Sequence, residues 1–481
     1  MGNKNRFYVD VMAVHKEVTG SCILNVIKFP DGTTKKVLID CGLFQEPNYL
    51  ELNKTLPFKP ENIDYVIVTH NHVDHVGRLP LLVKNGYRGK IYTSMDTSIL
   101  IRHALADSYK VIRQKAKLAN EKCLYSEKDV EQTVSQVRGI SFEQSIKLDD
   151  NIKMTFFING HLQGAAIVLL QISYHDHTER KHYENINLLF TGDLKKDNMF
   201  FDVPPLPKWV HQLPITIVQE STYGDMDSSK IEKVFEKNIL EAVSKGNEIV
   251  IPVFSLGRSQ EIMFLLKQWQ DEGKLDINIP IYYDGKLGMR YTSLYLSGNL
   301  GIKEDCKEFL PVNFTFVNSP SIRNRLLTNG TTKIILTTSG MGSYGPAQTY
   351  LPAFLKKSNA LIHFTGYVAE NTLGRRLYEC QHDSEVEIAG LVVNKKARVE
   401  FTAEFSAHAK SDELLSFLKD FENINAVFIN HGSKQSADTY SSLVVKNIDT
   451  KEVGILGRDY LFRINGYGLI KTIPTKFGPY R

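Results

Sequence analysis

The sequence predicts an α/β fold in which one folding unit interrupts another. Short strand signals dominate as far as about residue 200, strands then alternate with helices between about 216 and 346, and short strands return near Lys396. Alternation of strands and helices is the pattern of a parallel α/β unit. The chain has 481 residues, which is longer than one ordinary domain.

Composition and charge limit the class of protein. Hydrophobic residues make up 42% and charged residues 23%, values typical of a soluble globular protein. The net charge of +4 does not by itself indicate a polyanionic partner. The five cysteines form no C-x-x-C pair, so we expect a reducing compartment and no cysteine-based zinc site. With no signal-peptide pattern and no apolar run long enough for a bilayer, we expect a cytoplasmic protein without membrane association.

The strands and helices were placed from apolar periodicity and from turn and capping signals. A helical region is expected at 97–136, with a capping box formed by Ser126 and Asp129. Further helices are expected at 231–243, at 260–270 and from about Pro346. The expected strands lie at 21–27, 36–40, 65–69, 154–158, 166–173, 187–191, 216–219, 248–254, 334–338 and 427–430.

The strongest chemical signal is the segment His70-Asn71-His72-Val73-Asp74-His75, which follows the apolar strand at 65–69. Neutral imidazole nitrogens and carboxylate oxygens are ligands that zinc prefers. A loop can direct alternate side chains to opposite sides, so one segment can serve two metal ions. The alternative, a solvated polar loop, is disfavoured because four ligand-type residues cluster at one strand end.

Two further candidates also follow strands. His161 lies in Gly160-His161-Leu162-Gln163-Gly164-Ala165, and Asp193 lies in Phe190-Thr191-Gly192-Asp193. Taken alone, each is more often a turn residue than a ligand. Beside the histidine-rich segment, both become candidate ligands.

Together these patterns, H-x-H-x-D-H, G-H-x-x-G-A and T-G-D, resemble the metallo-β-lactamase fold. Asp40, at the end of a strand, matches the first motif aspartate of that superfamily, and the segment 17–21 fits its nuclease branch. The resemblance implies an αββα sandwich with metal ions at one edge of its two sheets.

Later segments resemble the β-CASP nucleases. The segment 219–224 is similar to motif A, 405–409 to motif B and 430–433 to motif C, and the segments 255–261 and 366–376 fit the same family. The similarity is greatest to prokaryotic homologues of the nuclease subunit of the pre-mRNA cleavage and polyadenylation factor. It implies a metallo-β-lactamase domain at 1–209, an inserted parallel α/β β-CASP domain at 210–390, and completion of the first domain at 391–481.

Carried over by residue, the resemblance implies two Zn²⁺ ions per chain. One ion would take His70, His72 and His161, the other Asp74, His75 and His431, and Asp193 would bridge the two. The implied reaction is hydrolysis of RNA phosphodiester bonds by a hydroxide that bridges the ions, as in other two-metal sites. Asp74 would thus serve in catalysis as well as ligation.

The resemblance also assigns roles outside the ligands. Asp40 would hold the ligand loop without touching metal. His408 would be the general acid that protonates the leaving 3′ oxygen, because an imidazole titrates near working pH. Glu220 would orient His408. The alternative for His408 is a surface histidine beside a helix start.

Weaker substrate-binding candidates are Ser339 and Gly340, whose backbone N–H groups precede a helix, and the arginines Arg258 and Arg375. A plain strand-to-helix turn and ordinary salt-bridged arginines explain them nearly as well. The histidines at 175, 177 and 182 resemble a metal-binding cluster in sequence, but we expect them to lie on the solvent-exposed surface.

Several alternatives stay open. Ser433 replaces the glutamate usual in motif C, and Lys195 brings positive charge near the metal edge. RNA is favoured over DNA as the substrate because the DNA-acting branch of the β-CASP family usually has valine at the position of His431. A second alternative is an inactive, RNA-binding scaffold subunit. A small-molecule hydrolase would not need motifs A and B. The sequence leaves endonuclease and 5′–3′ exonuclease action undecided, and the family leans towards a homodimer.

Overall fold

A computed structural model describes residues 7–15, 17–175, 183–366 and 372–475. The chain so described divides into two compact units. Unit 1 comprises Met1–Asn198, Asp202–Ser228 and Ala407–Arg481, and unit 2 comprises Met199–Phe201 and Ser229–Ser406. Unit 1 is therefore discontinuous in sequence. The unit boundaries at 228/229 and 406/407 lie later than the domain boundaries expected at 209/210 and 390/391.

Most strands are short, and several consecutive ones pair as hairpins. The strands are β1 (Tyr8–Ala13), β2 (Ile23–Lys28), β3 (Thr34–Ile39), β4 (Tyr65–Ile67), β5 (Ile91–Ser94), β6 (Val137–Ile140), β7 (Ile146–Lys147), β8 (Ile152–Ile158), β9 (Ala166–His175), β10 (Tyr183–Phe190), β11 (Ile215–Glu220), β12 (Glu248–Pro252), β13 (Ile281–Asp284), β14 (Phe314–Phe316), β15 (Lys333–Thr337), β16 (Ala360–Phe364), β17 (Glu385–Ile388), β18 (Leu391–Asn394), β19 (Arg398–Phe401), β20 (Ile424–Asn430), β21 (Val453–Ile455), β22 (Tyr460–Asn465) and β23 (Gly468–Pro474).

Helices follow many of these strands. They are α1 (Val73–Val76), α2 (Leu79–Lys84), α3 (Met95–Leu118), α4 (Glu127–Gln136), α5 (Lys208–His211), α6 (Phe235–Ser244), α7 (Arg258–Asp271), α8 (Lys286–Leu296), α9 (Pro320–Thr328), α10 (Ala347–Leu355), α11 (Leu373–Glu379), α12 (Ser411–Lys419) and α13 (Lys434–Asn447).

Unit 1 is a sandwich of two mixed sheets. One sheet has the strand order β23-β22-β1-β2-β3-β4-β5-β6 and the other β21-β20-β11-β10-β9-β8-β7. Alternate side chains of both sheets meet in one buried apolar core, which includes Val9 and Ile39 from the first sheet and Phe156 and Leu188 from the second. Apolar side chains that alternate along a strand bury one face, and two such faces make a sandwich core.

Helices cover the outer faces of both sheets. Leu82 of α2, Ile101 of α3 and Val130 of α4 pack on the first sheet. Val210 of α5, Leu414 of α12 and Tyr440 of α13 pack on the second sheet. The layers are therefore αββα, which confirms the fold expected from the sequence.

Two details of the expected elements differ in unit 1. The helical region at 97–136 is two helices, α3 and α4, and the capping box of Ser126 and Asp129 begins the second, as predicted. The strand at 216–219 was expected inside the inserted domain at 210–390, whereas β11 lies in the second sheet of unit 1, parallel to β10 and β20.

Unit 2 is built on a sheet of parallel strands. Its order is β14-β13-β15-β12-β16-β19, and each adjacent pair is parallel. Fully buried apolar strands such as Lys333–Thr337 are typical of a parallel sheet with helices on both faces. A short hairpin of β17 and β18 lies outside this sheet. Among the described residues, no helix combines the length and apolarity that crossing a membrane requires.

Unit 2 carries a buried histidine that predicts an acid-sensitive fold. His363 is fully buried on β16, its Nδ1 donates to the Phe364 carbonyl and its Nε2 accepts from Asn238. Burial lowers its pKa to about 4. The unfolded chain binds a proton near pH 6.5 and the folded chain only near pH 4, so stability falls as pH drops through this window, by about 3 kcal/mol at most.

We therefore expect His363→Gln to flatten the pH dependence of unit 2 unfolding between about pH 4 and 6.5. Urea unfolding followed by Trp269 fluorescence in a Trp209→Phe background measures this, because Trp269 is buried in unit 2 and Trp209 is half-exposed in unit 1. His382, whose side chain is 65% exposed, supplies the matched control His382→Gln. Equal pH dependence in the His363→Gln and parent proteins would contradict the prediction.

Candidate metal centre

The candidate ligands lie at the ends of strands in unit 1. His70 and His72 follow β4, and Asp74 and His75 begin the short helix α1 directly after them. His161 follows β8, Asp193 follows β10 and His431 follows β20. Because β10, β11 and β20 are parallel, their carboxyl ends lie at one edge of the second sheet. The fold thus brings residues that are far apart in sequence to one place.

Asp193 lies at the centre of this cluster and is 2% exposed. Its Oδ2 is 3.4 Å from His70 Nε2 and 3.5 Å from His161 Nε2. Its Oδ1 is 3.2 Å from His75 Nε2 and 3.5 Å from His431 Nε2. The two carboxylate oxygens therefore face two different pairs of histidines, which is the arrangement a bridging carboxylate needs.

The remaining candidates complete the two groups. His72 Nδ1 lies 3.0 Å from His161 Nε2, and Asp74 Oδ2 lies 3.6 Å from His431 Nε2. Zinc binds nitrogen and oxygen at about 2.0–2.1 Å, so ligand atoms around one tetrahedral ion lie about 3.3–3.5 Å apart. The spacing in both groups is close to that value.

Hydrogen bonds to the far sides of two rings fix where their protons lie. Asp40 Oδ2 accepts from His75 Nδ1 at 2.7 Å and from the Thr69 hydroxyl at 2.8 Å. Since the Thr69 hydroxyl donates its proton to Asp40, its oxygen accepts from His70 Nδ1 at 3.1 Å. In both neutral rings Nε2 therefore carries a lone pair, and it is directed at Asp193.

The other two rings are held in the same tautomer. His161 Nδ1 donates to the Ala407 carbonyl at 2.8 Å. The Thr222 hydroxyl donates to the carbonyl of His431 at 3.0 Å and so accepts from His431 Nδ1 at 3.1 Å. His161 Nε2 and His431 Nε2 therefore also point lone pairs at Asp193.

These lone pairs face each other across distances that no hydrogen bond explains. His75 Nε2 and His431 Nε2 are 3.1 Å apart, and when both rings are neutral neither of these nitrogens carries a proton. His70 Nε2 and Asp193 Oδ1 are buried and have no hydrogen-bond partner within the described ranges. A buried polar atom without a partner is costly. The donor set fits metal cations, which would accept all these lone pairs.

The electrostatics differ between the two groups of candidate ligands. Burial lowers the pKa of His75, but the carboxylates of Asp193 and Asp40 outweigh burial and raise that pKa well above its usual value, so His75 must lose a proton before it can bind a metal ion. Burial lowers the pKa of His72 to about 4, and it lowers that of His70 as well. Neutral histidines are the form that binds metal.

His408 and Glu220 lie beside the cluster. Glu220, at the end of β11, is 2% exposed, and its Oε2 is 2.9 Å from His408 Nδ1. His408 Nε2 lies 4.0 Å from Asp193 Oδ2, and the side chain is 20% exposed. Burial lowers the pKa of His408, but the Glu220 carboxylate outweighs it and raises the pKa above its usual value. His408 therefore presents a protonatable nitrogen to both the cluster and solvent.

Family models match three successive parts of the chain. The metallo-beta-lactamase superfamily matches residues 21–235, the Beta-Casp domain 259–377, and the Zn-dependent metallo-hydrolase RNA specificity domain 392–453. The first and third matches contain the candidate ligands.

Full-length relatives extend this similarity over most of the chain. The transcription termination factor FttA of Methanocaldococcus jannaschii is 30% identical over 465 residues, which cover 90% of this chain and 68% of that protein. The chain belongs to the β-CASP family of metallo-β-lactamase proteins. Another β-CASP relative, Ribonuclease TTHA0252 of Thermus thermophilus, is 29% identical over 87% of this chain and 92% of its own length. An RNase J-like protein of M. jannaschii is 27% identical, with 86% and 90% covered.

Sequence reasoning missed residues that hold the candidate ligands in place. Thr69 and Thr222 set the tautomers described above. Asn159, 1% exposed, donates to the carbonyls of Thr191 and Asp193 and accepts from the backbone of His161. Each stands within three residues of a candidate ligand or motif glutamate, which is the signal that would have found it. His15 was also missed: burial lowers its pKa to about 3, and its ring lies 6.5 Å from that of His431.

Strained backbone marks two of the site residues. Asp40 has φ 59° and His431 has φ 52°, a left-handed region that side chains other than glycine seldom adopt. Nearby, a Cβ on Gly42 would lie 1.5 Å from the Asp74 carbonyl oxygen. Glycine is thus required where the strand-end loop crosses the ligand segment.

The predicted substrate arginines make structural contacts in unit 2. Arg258 is 5% exposed, pairs with Glu261 at 2.9 Å and donates to the Thr365 carbonyl. Arg375 is more accessible but pairs with Glu379 at 2.6 Å. These contacts favour the salt-bridged alternative for Arg258, and the substrate role of both residues stays a prediction.

Backbone N–H groups in the segment that contains Ser339 and Gly340 already donate hydrogen bonds to carbonyl groups of the same segment. The N–H of Ser339 donates to the Tyr344 carbonyl, and that of Gly342 donates to the Ser339 carbonyl. The following helix, α10, begins only at Ala347. The segment is therefore a turn that separates β15 from α10, and phosphate binding there stays a prediction.

The departures from the β-CASP pattern have local explanations. Ser433 caps α13, where its hydroxyl accepts from the Ser436 N–H. The Thr222 hydroxyl, and not Ser433, contacts His431 Nδ1. The Lys195 ammonium lies 3.8 Å from Asp197. The histidine cluster at 175–182 lies largely outside the described residues, and so does much of the segment 366–376.

Proposed function

We propose that the chain is a metal-dependent ribonuclease that binds two Zn²⁺ ions and hydrolyses phosphodiester bonds of RNA. The observation that carries the proposal is the convergence of four Nε2 lone pairs on the two oxygens of Asp193. When bound, the zinc ions supply Lewis-acid chemistry, because they acidify water to near-neutral pKa and neutralise charge on phosphoryl oxygens.

The ligand sets of the proposal are those expected from the β-CASP motifs. One ion is assigned to His70, His72 and His161, the other to Asp74, His75 and His431, with Asp193 shared. Asp40 and Thr69 keep His70 and His75 in the ligating tautomer, while Thr222 does so for His431. Such outer hydrogen bonds strengthen ligands and fix their direction.

His408 is the proposed general acid. Its Nδ1 is held by Glu220, so the proton available for transfer lies on Nε2, on the side of Asp193. Because the Glu220 carboxylate outweighs burial and raises the pKa of His408, it favours the protonated ring that a general acid needs. In the proposed reaction His408 gives the proton to the leaving 3′ oxygen, and Glu220 stabilises the charged ring beforehand.

RNA as the substrate is supported by the relatives. The Thermus protein is named a ribonuclease, one of the Methanocaldococcus proteins is named RNase J-like, and the model that matches 392–453 describes an RNA specificity domain. An inactive scaffold and a DNA-acting nuclease are the alternatives. The filled ligand set argues against the scaffold, and His431 among the ligands argues against DNA.

The test uses RNA labelled at the 5′ or the 3′ end, with DNA of the same sequence as a control. We expect zinc-loaded protein to cleave the RNA, chelator-treated protein to lose at least about 10³-fold in rate, and added zinc to restore it. Metal analysis is expected to find two zinc ions per chain. The size of the labelled products distinguishes internal cleavage from removal of nucleotides at the 5′ end.

Intact RNA after incubation with protein that holds two zinc ions per chain would favour the scaffold alternative. Faster cleavage of the DNA strand would favour the DNA-acting alternative.

A further inference from the structure

The helix α3 connects the candidate metal centre with a strongly basic surface. Its first turn contacts the loop that carries His161, because the hydroxyls of Ser94 and Thr97 both donate to the Gly164 carbonyl, at 2.5 and 2.9 Å. Gln163 of the same loop donates to Asp96 at 2.5 Å. The N-terminal end of α3 is therefore fixed beside a candidate ligand.

Beyond this first turn, the solvent-facing side of α3 is basic. Arg102, Lys110, Arg113 and Lys117 are all exposed. With 3.6 residues per turn, these positions fall within an arc of about 80°. The buried side chains Leu100, Ile101 and Ala104 lie outside this arc and face away from it. We call these four side chains the α3 stripe.

The charge of the α3 stripe is not balanced by neighbouring carboxylates. Within the part of the chain that the structure describes, none of the four side chains forms an ion pair. The acidic residues of the helix, Asp96 and Asp107, are half-buried and lie off the stripe. Just beyond the helix, Glu121 is 3.1 Å from the Lys54 ammonium. An ordinary solvated helix face carries charges of both signs, often as pairs one turn apart.

We propose that the α3 stripe is a track for the backbone of single-stranded RNA on its way to or from the candidate metal centre. This proposal rests on the proposed function. The stripe extends over about 22 Å at 1.5 Å per residue. Four cations aligned on one face recognise a polyanion by charge and spacing, without reading its sequence.

The overall charge of +4 does not indicate such a surface, because net charge does not report where individual charges lie. The outer helices on the opposite face of unit 1, α12 and α13, carry acidic residues in addition to lysines, with Asp412 and Glu413 in the first turn of α12. Lys419 and Lys446, exposed on these helices, offer a control surface.

The test measures RNA binding as a function of salt in a His408→Ala background, which prevents cleavage during the measurement. The probe is a fluorescent 20-nucleotide oligouridylate, and the variant replaces all four stripe residues with Gln. We expect the slope of log affinity against log salt to decrease in magnitude by about 3, and affinity at low salt to fall about tenfold or more. Zinc content and melting temperature report whether the variant is folded.

The matched control is Lys419→Gln with Lys446→Gln in the same background, where we expect the slope to stay within about one unit of the parent. A folded four-site variant whose slope of log affinity against log salt equals that of the parent would contradict the proposed RNA track. Binding of a poly-glutamate peptide of equal charge more tightly than the RNA would also contradict it, in favour of an acidic protein partner. Failure of the parent protein to cleave or bind RNA would instead reject the proposed function itself.

Discussion

Replacing Asp193 with Asn is expected to reduce zinc binding from two ions to one or none per chain and to lower RNA hydrolysis by about 10³-fold. The reason is that both oxygens of Asp193 face Nε2 lone pairs, 3.2–3.5 Å away, so this side chain serves both proposed ions. Asn keeps the shape but loses the charge and one acceptor. Metal analysis of the purified protein and rates on end-labelled RNA measure the two effects.

Asp197→Asn is the matched control, since Asp197 stands four residues further along the same segment and its side chain is 86% exposed. We expect it to retain both ions and the parent rate. Circular dichroism and thermal melting establish that the Asp193→Asn protein is folded. Two tightly bound ions in folded Asp193→Asn protein would show that Asp193 is not the bridge.

Replacing His408 with Ala is expected to lower RNA hydrolysis by about 10²- to 10⁴-fold while zinc content stays at the parent level. His408 is 4.0 Å from Asp193 and contacts Glu220, so its proposed role is proton transfer and not ligation. Glu220→Gln is expected to have a smaller effect and to move the alkaline limb of the pH–rate profile to lower pH. The sign follows because Glu220 raises the pKa of His408.

A substrate with sulfur in place of the leaving 3′ oxygen separates an acid from a merely structural residue. A thiolate leaves without a proton, since thiols have a pKa near 8.5. We therefore expect this substrate to restore most of the rate of His408→Ala. His382→Ala, at an exposed position in unit 2, is the control. Equal losses with oxygen and sulfur leaving groups would contradict the general-acid role.

The sequence predicts the fold and the chemical composition of the site well, for identifiable reasons. The αββα layers were expected from the resemblance to the metallo-β-lactamase motifs. The candidate ligands His70, His161 and Asp193 each stand directly after an apolar strand, and strands that run in one direction end at one edge of a sheet. Convergence of the ligands was therefore foreseeable from their positions.

The rest depends on three-dimensional contacts that a linear pattern does not contain. Thr222 lies about 210 residues from His431, and the Ala407 carbonyl lies 246 residues from His161. Their side-chain types are common and carry no metal signal of their own. The place of β11 in the second sheet depends on a contact of the same kind, because β11 pairs with β20 from the far end of the chain as well as with β10.

The buried lone pairs around Asp193 have a consequence for the life of the protein in the cell. Without cations, folding brings nitrogen and oxygen lone pairs close together in the protein interior. Their repulsion lowers the free energy of unfolding. Ion capture and acquisition of the native state are then thermodynamically linked, since an ion that binds only the folded form stabilises it. We therefore expect the supply of zinc during synthesis to determine how much folded protein accumulates, in addition to its role in catalysis.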